Sequence, residues 1–425
     1  MDQQDNLIFI SIASYRDAQL VPTVEDCLAK ATQPDRLRFG ICWQHGPEEA
    51  ELPFQSDPRF RILDIDWRDS RGACWARAAI MQLWQHEAWY LQIDSHCRFA
   101  PGWDETLITT ARQTGSPKPI LSTYPPPFEP AQQENLGGDA MQMAFQGFTP
   151  EGIPFMKPIG IPDWIFRSQP MRARFLAAGF LFAPGSFVEE VPYDPELYFI
   201  GEEITMTLRA FTSGYDLFHP CNRIVWHDYV RAYAARHWED HTSDNKVERS
   251  WGDLDLHSKE KVKRILAGQP VDNCGLGTTR TIADYEAYAG INLRLRKGQN
   301  YTLLAGEPPN PQSDASWVDE IYLWLVRVPI ATANLPKGSF DNPSFWCVCI
   351  HDEGGHEIFR RDFPRAELTT LSRSEPMVYL VCEFQSGIIP FQWSVSPVSS
   401  AQGWLQKIAG VLAKADYTIV LEEPA

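Results

Sequence analysis

The sequence predicts an α/β domain built on a mainly parallel sheet, followed by a smaller β-rich domain. In the first half of the chain, short β-branched apolar runs alternate with stretches whose apolar residues recur at helical spacing, which is typical of βαβ units. After residues 310–313 the pattern changes to short strand-like runs separated by turn residues. We therefore expect one domain at 1–306 and another at 307–425, and a chain of 425 residues is long enough for each to bury its own core.

Strands and helices are predicted to alternate in chain order at the start of the first domain. Strands are expected at 7–12, 37–43, 60–65 and 89–93, and helices at 21–31 and 74–84. Ligands bind beyond the carboxyl ends of the strands in such sheets. The loop at 11–17 and the loop at 94–96 should therefore both lie at the ligand-binding edge.

Proline and glycine are frequent from residue 117 to 170, so we expect a long loop region there rather than regular elements. Regular structure is predicted to resume with a strand at 175–182, where the interior Gly179 would admit another backbone or a ligand. A helix at 202–212, strands at 215–218 and 223–226, and helices at 258–267 and 282–289 follow. Thr281 and Asp284 form a variant of the capping box at the start of the last helix.

The β-rich domain is predicted from strand-like runs at 321–328, 345–350, 357–359, 378–384 and 390–395. Gly354 and Gly355 indicate a hairpin between the second and third runs. Residues 404–413 have the apolar spacing of a short amphipathic helix, which we expect to pack on the sheet rather than to bind a membrane.

Composition and charge exclude several classes of protein. With 44% hydrophobic and 22% charged residues the chain is typical of a globular protein, and its net charge of -17 opposes nonspecific binding to nucleic acid or an anionic membrane. The acidic start lacks the features of a signal peptide, and no stretch approaches the roughly eighteen apolar residues of a membrane span. Nine cysteines without C-x-x-C spacing argue against a structural zinc site or a secreted disulfide framework. We expect a protein of the reducing cytoplasm.

Asp94-Ser95-His96 is the first candidate for a functional site. It follows an apolar run, and Asp94 and His96 would project from the same side if the strand geometry persisted through Ser95. A carboxylate and an imidazole placed in this way can bind a divalent cation. The alternative is that both are solvated or capping residues at the end of a strand, since short motifs of this kind arise freely.

Five segments carry a resemblance to a known family. They are S-I-A-S-Y-R-D at 11–17, R-F-G-I-C-W-Q at 38–44, G-A-C-W-A-R at 72–77, Y-L-Q-I-D-S-H at 90–96 and F-I-G-E-E-I at 199–204. Together they resemble the cytoplasmic polypeptide N-acetylglucosaminyltransferases, which use UDP-GlcNAc to modify hydroxyproline in proteins. The resemblance extends over about residues 7–290, in the family's order, and does not reach the β-rich domain.

The resemblance implies a GT-A fold, a Rossmann-like α/β sheet that binds a nucleotide sugar through a divalent cation, usually Mn²⁺. It implies that Asp94 and His96 ligate the cation as a D-x-H motif and that His227, in W-H-D-Y at 226–229, is the third ligand. Carboxylate and imidazole both suit Mn²⁺, which would neutralise charge on the departing UDP. His227 lies more than a hundred residues beyond the motif, so the fold should bring it there.

The resemblance also makes the loop of Ser14, Tyr15, Arg16 and Asp17 look like the uridine site. Tyr15 would stack on or flank the base, Asp17 would accept hydrogen bonds from base or ribose, and Arg16 would pair with a phosphate. The alternative is that Arg16 and Asp17 form only a local turn and an ion pair.

Arg71, Gly72 and Arg77, at the start of the helix before the metal-binding strand, are assigned to donor binding by the same resemblance. Gly72 would allow close approach of the backbone, and Arg77 would make a charge-assisted contact with the diphosphate. The alternative is that Arg77 lies on a solvated helix face.

Glu202 and Glu203 are the candidate catalytic or sugar-orienting residues. Because successive side chains on a helix diverge by about a hundred degrees, both are not expected to face the cleft, and helix capping alone can explain one of them. We favour Glu203 over Glu202. The family retains the anomeric configuration, which implies front-face attack assisted by the leaving phosphate, whereas a double displacement would need a carboxylate at the anomeric carbon.

The function expected from this resemblance is metal-dependent, retaining transfer of GlcNAc from UDP-GlcNAc to a hydroxyl group, with a protein or peptide as acceptor. The alternatives are the same chemistry with another UDP-sugar or with a glycan or small-molecule acceptor, and a non-catalytic carbohydrate-binding protein. The β-rich domain would recognise the acceptor or hold the subunits of a homo-oligomer together. The histidines outside the matched motifs are expected to be surface or hydrogen-bonded residues.

Overall fold

The computed structural model describes residues 6–132, 136–149, 151–231, 234–242, 247, 249–312, 317–318, 322–371 and 373–420. Contacts divide the chain into two compact units. The first unit comprises Met1–Phe145, Met156–Arg294 and Leu304–Ala315, and the second comprises Gln146–Phe155, Leu295–Leu303 and Ser316–Ala425. A single domain boundary near residue 307 stays a prediction.

The strands up to residue 292 are β1 Ile8–Tyr15, β2 Leu37–His45, β3 Phe60–Asp66, β4 Trp89–Asp94, β5 Cys97–Phe99, β6 Pro119–Ser122, β7 Met141–Phe148, β8 Pro154–Gly160, β9 Met171–Arg172, β10 Phe180–Pro184, β11 Asp216–His219, β12 Val225–His227 and β13 Ile291–Asn292. The main sheet has the order β3-β2-β1-β4-β10-β6-β11-β9. Its first four strands are parallel, and β10 is antiparallel to β4. The predicted α/β class with a mainly parallel start is confirmed.

The helices of the same part of the chain are α1 Leu20–Lys30, α2 Ala73–Met81, α3 Trp103–Gln113, α4 Phe187–Glu190, α5 Glu202–Thr212, α6 His237–Asp240, α7 Trp251–Leu266 and α8 Ile282–Ala289. The predicted bounds of α5 and α8 are confirmed, and so is the capping box of Thr281 and Asp284. Among the described residues, no helix is long and apolar enough to cross a membrane.

The core of the first unit covers both faces of β1. Ile8, Ile10 and Ile12 belong to one buried cluster with apolar residues of α1 and α3. Phe9 lies on the opposite face, where the absence of a side chain at Gly40 leaves room for its ring. Burial on both faces explains why the strand is a nearly continuous apolar run.

Strand pairing places two candidate segments beside each other. Ala13 of β1 lies opposite Asp94 of β4, so the last residues of β1 lie next to the start of the Asp94-Ser95-His96 motif. β12 pairs antiparallel with β5, and His227 lies opposite Cys97. The backbone amide of Asp228 also donates to the carbonyl of His96 at 3.1 Å. This short second sheet therefore carries His227 to the motif.

The second unit is β-rich, as predicted. Its remaining strands and helices are β14 Lys297–Gln299, α9 Asn300–Leu303, β15 Trp317–Val318, β16 Tyr322–Ala331, β17 Pro343–His351, β18 Glu357–Pro364, α10 Arg365–Leu368, β19 Met377–Ser386, β20 Gln392–Ser399, β21 Gly403–Trp404, β22 Ile408–Val411 and β23 Tyr417–Val420. β16 pairs with β19 and β23, whereas β17 pairs with β18 and β20. Side chains of both sheets form one apolar core.

Two expectations about local structure are wrong. The proline- and glycine-rich stretch at 117–170 contains β6, β7 and β8, because prolines occupy strand positions such as Pro119 and Pro154. Residues 404–413 form strand segments rather than a helix. Gly410 lies in β22 opposite Trp393, and a Cβ at Gly410 would lie 2.7 Å from that indole ring. Tertiary packing therefore overrides the helical spacing of the apolar residues.

Candidate metal and donor site

Three potential metal ligands converge at the carboxyl end of β4. One ligand atom from each of Asp94, His96 and His227 lies within 4.8 Å of the other two. Nε2 of His227 is 3.1 Å from Oδ2 of Asp94, and the rings of the two histidines meet edge to face with centroids 4.5 Å apart. The chain thus brings together the three residues that the resemblance singled out as metal ligands.

These residues fit a divalent cation such as Mn²⁺. Two adjacent ligand atoms at about 2.1 Å from an octahedral ion are about 3.0 Å apart. The 3.1 Å between His227 and Asp94 matches this spacing. Within the described part of the chain, Nδ1 of His227 is a buried nitrogen without a hydrogen-bond partner. A carboxylate and two imidazoles also form a donor set that Mn²⁺ accepts.

Arg77 holds the other oxygen of Asp94. Its Nη2 lies 2.7 Å from Oδ1 of Asp94, its Nη1 contacts Glu202, and its side chain is only 5% exposed. Burial raises the pKa of the Asp94 carboxyl, but Arg77 and His227 outweigh burial and lower it. Asp94 is therefore an ionised carboxylate whose Oδ2 faces His227. A direct contact of Arg77 with the diphosphate stays a prediction.

Asp17 lies behind His96. Its Oδ2 is 2.8 Å from Nδ1 of His96 and 3.0 Å from Nη2 of Arg231. Burial alone would raise the pKa of the Asp17 carboxyl. The hydrogen bond with His96 and the positive charge of Arg231 have the larger effect, so the pKa lies below its usual value. The carboxylate of Asp17 lies against His96, and the expected contact of Asp17 with base or ribose stays a prediction.

Glu203 lies at the start of α5 and is held by two groups. Its Oε1 accepts a hydrogen bond from the backbone amide of Ala178 at 2.9 Å, and its Oε2 accepts one from the Tyr124 hydroxyl. Burial raises the pKa of Glu203 to about 7, although both hydrogen bonds lower it. Protonated and ionised forms of Glu203 therefore coexist near neutral pH. Glu202, in contrast, turns toward Arg77.

The peptide at Ala178 and Gly179 joins Glu203 to the metal motif. Gln92 of β4 donates a hydrogen bond from Nε2 to the carbonyl of Ala178 at 2.6 Å. A Cβ at Gly179 would lie 2.9 Å from Oδ2 of Asp94. Gly179 lies just before β10 rather than inside a strand, and its close neighbour is the Asp94 side chain rather than the expected backbone or ligand. Glu203 and Asp94 thus lie against consecutive residues of one segment.

Tyr15 and Arg16 share one partner, Asp240 of α6. The Tyr15 hydroxyl and Nη1 of Arg16 each lie 2.9 Å from Oδ2 of Asp240. The Arg16 guanidinium also lies 5.1 Å from the centre of the Trp67 ring. Ser14 is buried at the end of β1. Base stacking by Tyr15 and phosphate pairing by Arg16 stay predictions.

A cavity of about 360 Å³ lies beside the predicted donor residue Arg71. It is lined by Ile65, Arg68, Asp69, Ser70, Arg71, Trp75, His241, Arg249 and Leu254. Three of these side chains are guanidinium groups, although the whole chain carries a net charge of -17. Gly72 follows with a φ of 98°, and a Cβ there would lie 3.0 Å from the Tyr198 ring. The cavity is therefore a local basic site.

Sequence reasoning missed Tyr124, Gln92, Arg231 and Asp240. Tyr124 precedes a run of prolines, and Gln92 interrupts an apolar strand two residues before Asp94. The position of Gln92 could have marked it in the sequence, because a polar side chain in a buried strand must find a hydrogen-bond partner. Arg231 and Asp240 carry no comparable signal, since their partners Asp17 and Tyr15 lie more than two hundred residues away.

A sequence model of the protein family described as "Glycosyltransferase (GlcNAc)" matches residues 7–57 and 51–294. These matches cover more than half of the chain and contain the three potential metal ligands. A comparison with curated protein sequences found no match.

Several solved structures are similar to the chain. A GalNAc-T7 crystal structure with UDP, GalNAc and Mn²⁺ shows 17% identity and a TM-score of 0.45, covering 62% of this chain and 48% of that chain. TarS 1-349 from S. aureus shows 9% identity and a TM-score of 0.37, covering 61% and 72%. Its complex with UDP-GlcNAc shows 11% identity and a TM-score of 0.36, covering 62% and 73%. The chain thus spans about half the length of the GalNAc-T7 chain.

Proposed function

Because the chain belongs to the Glycosyltransferase (GlcNAc) family, we propose that it transfers GlcNAc from UDP-GlcNAc to a hydroxyl group through a divalent cation. The observation that carries this proposal is the convergence of Asp94, His96 and His227 at the end of β4. Their donor atoms come from two strands far apart in sequence. A chance pairing of short motifs does not account for that convergence.

The three side chains would hold Mn²⁺ against the diphosphate of the donor. A cation bound there supplies positive charge that stabilises the leaving UDP without proton transfer. The protein contributes an ionised Asp94, fixed by Arg77, and two buried imidazoles. Few ordered groups need to move for this set to accept an ion, which favours binding.

The basic cavity supports a nucleotide diphosphate as donor. Arg68, Arg71 and Arg249 surround it, and Trp75 and His241 supply flat aromatic faces. Guanidinium groups bind phosphate oxygens, and aromatic rings stack on bases. We place the nucleotide of UDP-GlcNAc across this cavity and the loop of Tyr15 and Arg16.

Glu203 is the carboxylate that we assign to the sugar or acceptor. It is linked through Ala178 and Gly179 to Asp94, whereas Glu202 is engaged by Arg77. Glu203 would accept a hydrogen bond from a hydroxyl of the bound substrates and orient it. With retention of configuration, the attacking hydroxyl approaches from the face of the leaving phosphate, and the proton passes to that phosphate.

A hydroxyl group on a polypeptide is the proposed acceptor, on the basis of the motif resemblance. The test measures UDP released from UDP-GlcNAc by purified protein with Mn²⁺, in the presence of peptides containing hydroxyproline, serine or threonine. We expect peptide-dependent release that is lost in Asp94→Ala and kept in Asp64→Ala, whose carboxylate is 61% exposed on β3. Full activity of Asp94→Ala would contradict the assigned metal site.

A further inference from the structure

We propose that Asp17 is a positioning residue that fixes the ring of His96, so that Nδ1 carries the proton and Nε2 is directed to the cation. This inference rests on the proposed metal dependence. It gives Asp17 a role in the metal site in place of the expected contact with base or ribose.

The hydrogen bonds of Asp17 carry the inference. Oδ2 of Asp17 lies 2.8 Å from Nδ1 of His96 and 2.7 Å from Oγ of Ser95, which donates to it. Oδ1 accepts a hydrogen bond from the backbone amide of Gln19 at 2.9 Å. Both oxygens are thus occupied by groups of the protein itself.

The burial of Asp17 excludes it from a substrate-facing surface. Its side chain is 0% exposed. A nucleoside that used this carboxylate would have to displace His96 or Gln19 and uncover a buried charge. Loss of a hydrogen bond to a buried charged group is destabilising, which opposes such a rearrangement.

The contact with Asp17 decides which nitrogen of His96 can bind a metal. A carboxylate accepts hydrogen bonds, so Nδ1 of His96 must be the protonated nitrogen. The neutral ring then offers its lone pair at Nε2. A carboxylate behind a ligating histidine fixes the ring and makes it a stronger ligand, and loss of such a partner lowers metal affinity by about 10–100-fold.

Arg231 extends this arrangement to the third ligand. Its Nη2 donates to the same Oδ2 of Asp17 at 3.0 Å, and it follows His227 by four residues. The positive charge of Arg231 balances the buried carboxylate. Asp17 therefore contacts the segments that carry His96 and His227 at once.

The first test needs no metal. Imidazole nitrogen resonances of His96, measured by NMR in metal-free wild-type protein labelled with ¹⁵N-histidine and assigned with His96→Gln, report which nitrogen is protonated. We expect a proton on Nδ1. An unprotonated Nδ1 in the wild-type protein would overturn the proposal.

The second test measures Mn²⁺ affinity without nucleotide. Free Mn²⁺ is followed by electron paramagnetic resonance during titration of wild type, Asp17→Asn and Asp17→Ala. We expect Kd for Mn²⁺ to rise about 10–100-fold in Asp17→Ala and less in Asp17→Asn, whose amide oxygen still accepts from His96. Wild-type affinity in Asp17→Ala would contradict the assigned role, and if that variant does not fold, the Asn variant decides by the same criterion.

Two controls separate positioning from other effects. The first control is Asp104→Asn, which alters another buried aspartate. Asp104 accepts hydrogen bonds from the backbone amides of Thr32 and Gln33 at 2.8 and 2.9 Å, and this variant should leave Mn²⁺ affinity unchanged. Uridine binding should be equal in wild type and Asp17→Ala, whereas a ligand to base or ribose would weaken it. If the wild-type protein binds no Mn²⁺, the proposed metal dependence fails, and the proton position on His96 alone decides the role of Asp17.

Discussion

Arg77 and Asp94 form a partly buried ion pair, with Nη2 and Oδ1 2.7 Å apart. The same guanidinium also contacts Glu202, so one arginine joins α2, β4 and α5. The sequence left open that Arg77 lies on a solvated helix face, but its side chain is only 5% exposed in the structure. Arg77 therefore fixes one oxygen of Asp94, whereas the other oxygen faces His227.

Replacement of Arg77 tests this arrangement. Arg77→Gln leaves the buried carboxylate of Glu202 without its cation, and we expect a loss of about 3–5 kcal/mol in the free energy of unfolding. Urea denaturation measures it. In the control Arg36→Gln, the lost partner Glu105 is 45% exposed, and the change should stay below about 1 kcal/mol. Equal losses in the two variants would contradict the buried role of Arg77.

Gly179 tests the close packing around Asp94. A Cβ there would lie 2.9 Å from Oδ2 of Asp94, so Gly179→Ala displaces the carboxylate that we propose as a metal ligand. We expect turnover to fall about 10²-fold, because displacements of about 1 Å at a reacting centre have effects of this size. Gly137→Ala is the control, since a Cβ at Gly137 meets nothing within 4 Å among the described residues. Unchanged turnover in Gly179→Ala would show that Asp94 tolerates displacement.

The raised pKa of Glu203 predicts that the stability of the protein depends on pH. Its pKa is raised from 4.5 to about 7 in the folded protein, so the folded state binds more protons between these values. The stability that this adds is fully present below pH 4.5 and is lost as pH rises through about 7. Urea midpoints of wild type and Glu203→Gln, compared at pH 5 and pH 8, should show a larger decline in the wild type. A parallel decline in both proteins would exclude Glu203 as its source.

Substitution of Glu203 also tests its place at the substrates. We expect Glu203→Gln to lower kcat about tenfold or more while KM for UDP-GlcNAc changes less, because an orienting group acts on the reacting geometry. Initial rates of UDP release at saturating Mn²⁺ measure both constants. A change confined to KM would assign Glu203 to donor binding instead.

The next prediction concerns the effect of Tyr124 on the pKa of Glu203. Its hydroxyl hydrogen bond lowers the pKa of Glu203, so Tyr124→Phe should raise that pKa further. Because the lost hydrogen bond is stronger to the ionised carboxylate, the variant should be destabilised more at pH 8 than at pH 5. Urea denaturation at both pH values measures this, with Tyr379→Phe, 39% exposed in the second unit, as control. An equal loss at both pH values would contradict the coupling.

The sequence predicted elements whose cause is local. The helix Glu202–Thr212 and the helix Ile282–Ala289, with its Thr281 capping box, follow from apolar spacing and cap chemistry. The stretch at 404–413 was mispredicted, because the packing of Gly410 against Trp393 is a contact between strands that spacing cannot reveal. One wrong expectation thus falls in each predicted domain: the strands within 117–170 in the first, and residues 404–413 in the second.

The residues of the candidate site also divide into those that a local motif predicts and those whose partners lie far away in the chain. The D-x-H motif is visible in one strand end, whereas the partners of Asp17 and Arg77 depend on contacts between elements far apart in the chain. The family resemblance suggested that Asp17 and Arg77 bind the donor. Their burial, which only the fold determines, places Asp17 against His96 and Arg77 against Asp94.

Metal-dependent binding of the donor is the most direct test of the central claim. Thermal unfolding midpoints are measured for wild type and Asp94→Ala with UDP-GlcNAc, in Mn²⁺ and in EDTA, because a ligand that binds only the folded state raises the midpoint. We expect UDP-GlcNAc to stabilise the wild-type protein more in Mn²⁺ than in EDTA and to lose this difference in Asp94→Ala. Equal stabilisation of the wild type in Mn²⁺ and EDTA, or an unchanged Mn²⁺ effect in Asp94→Ala, would contradict the account.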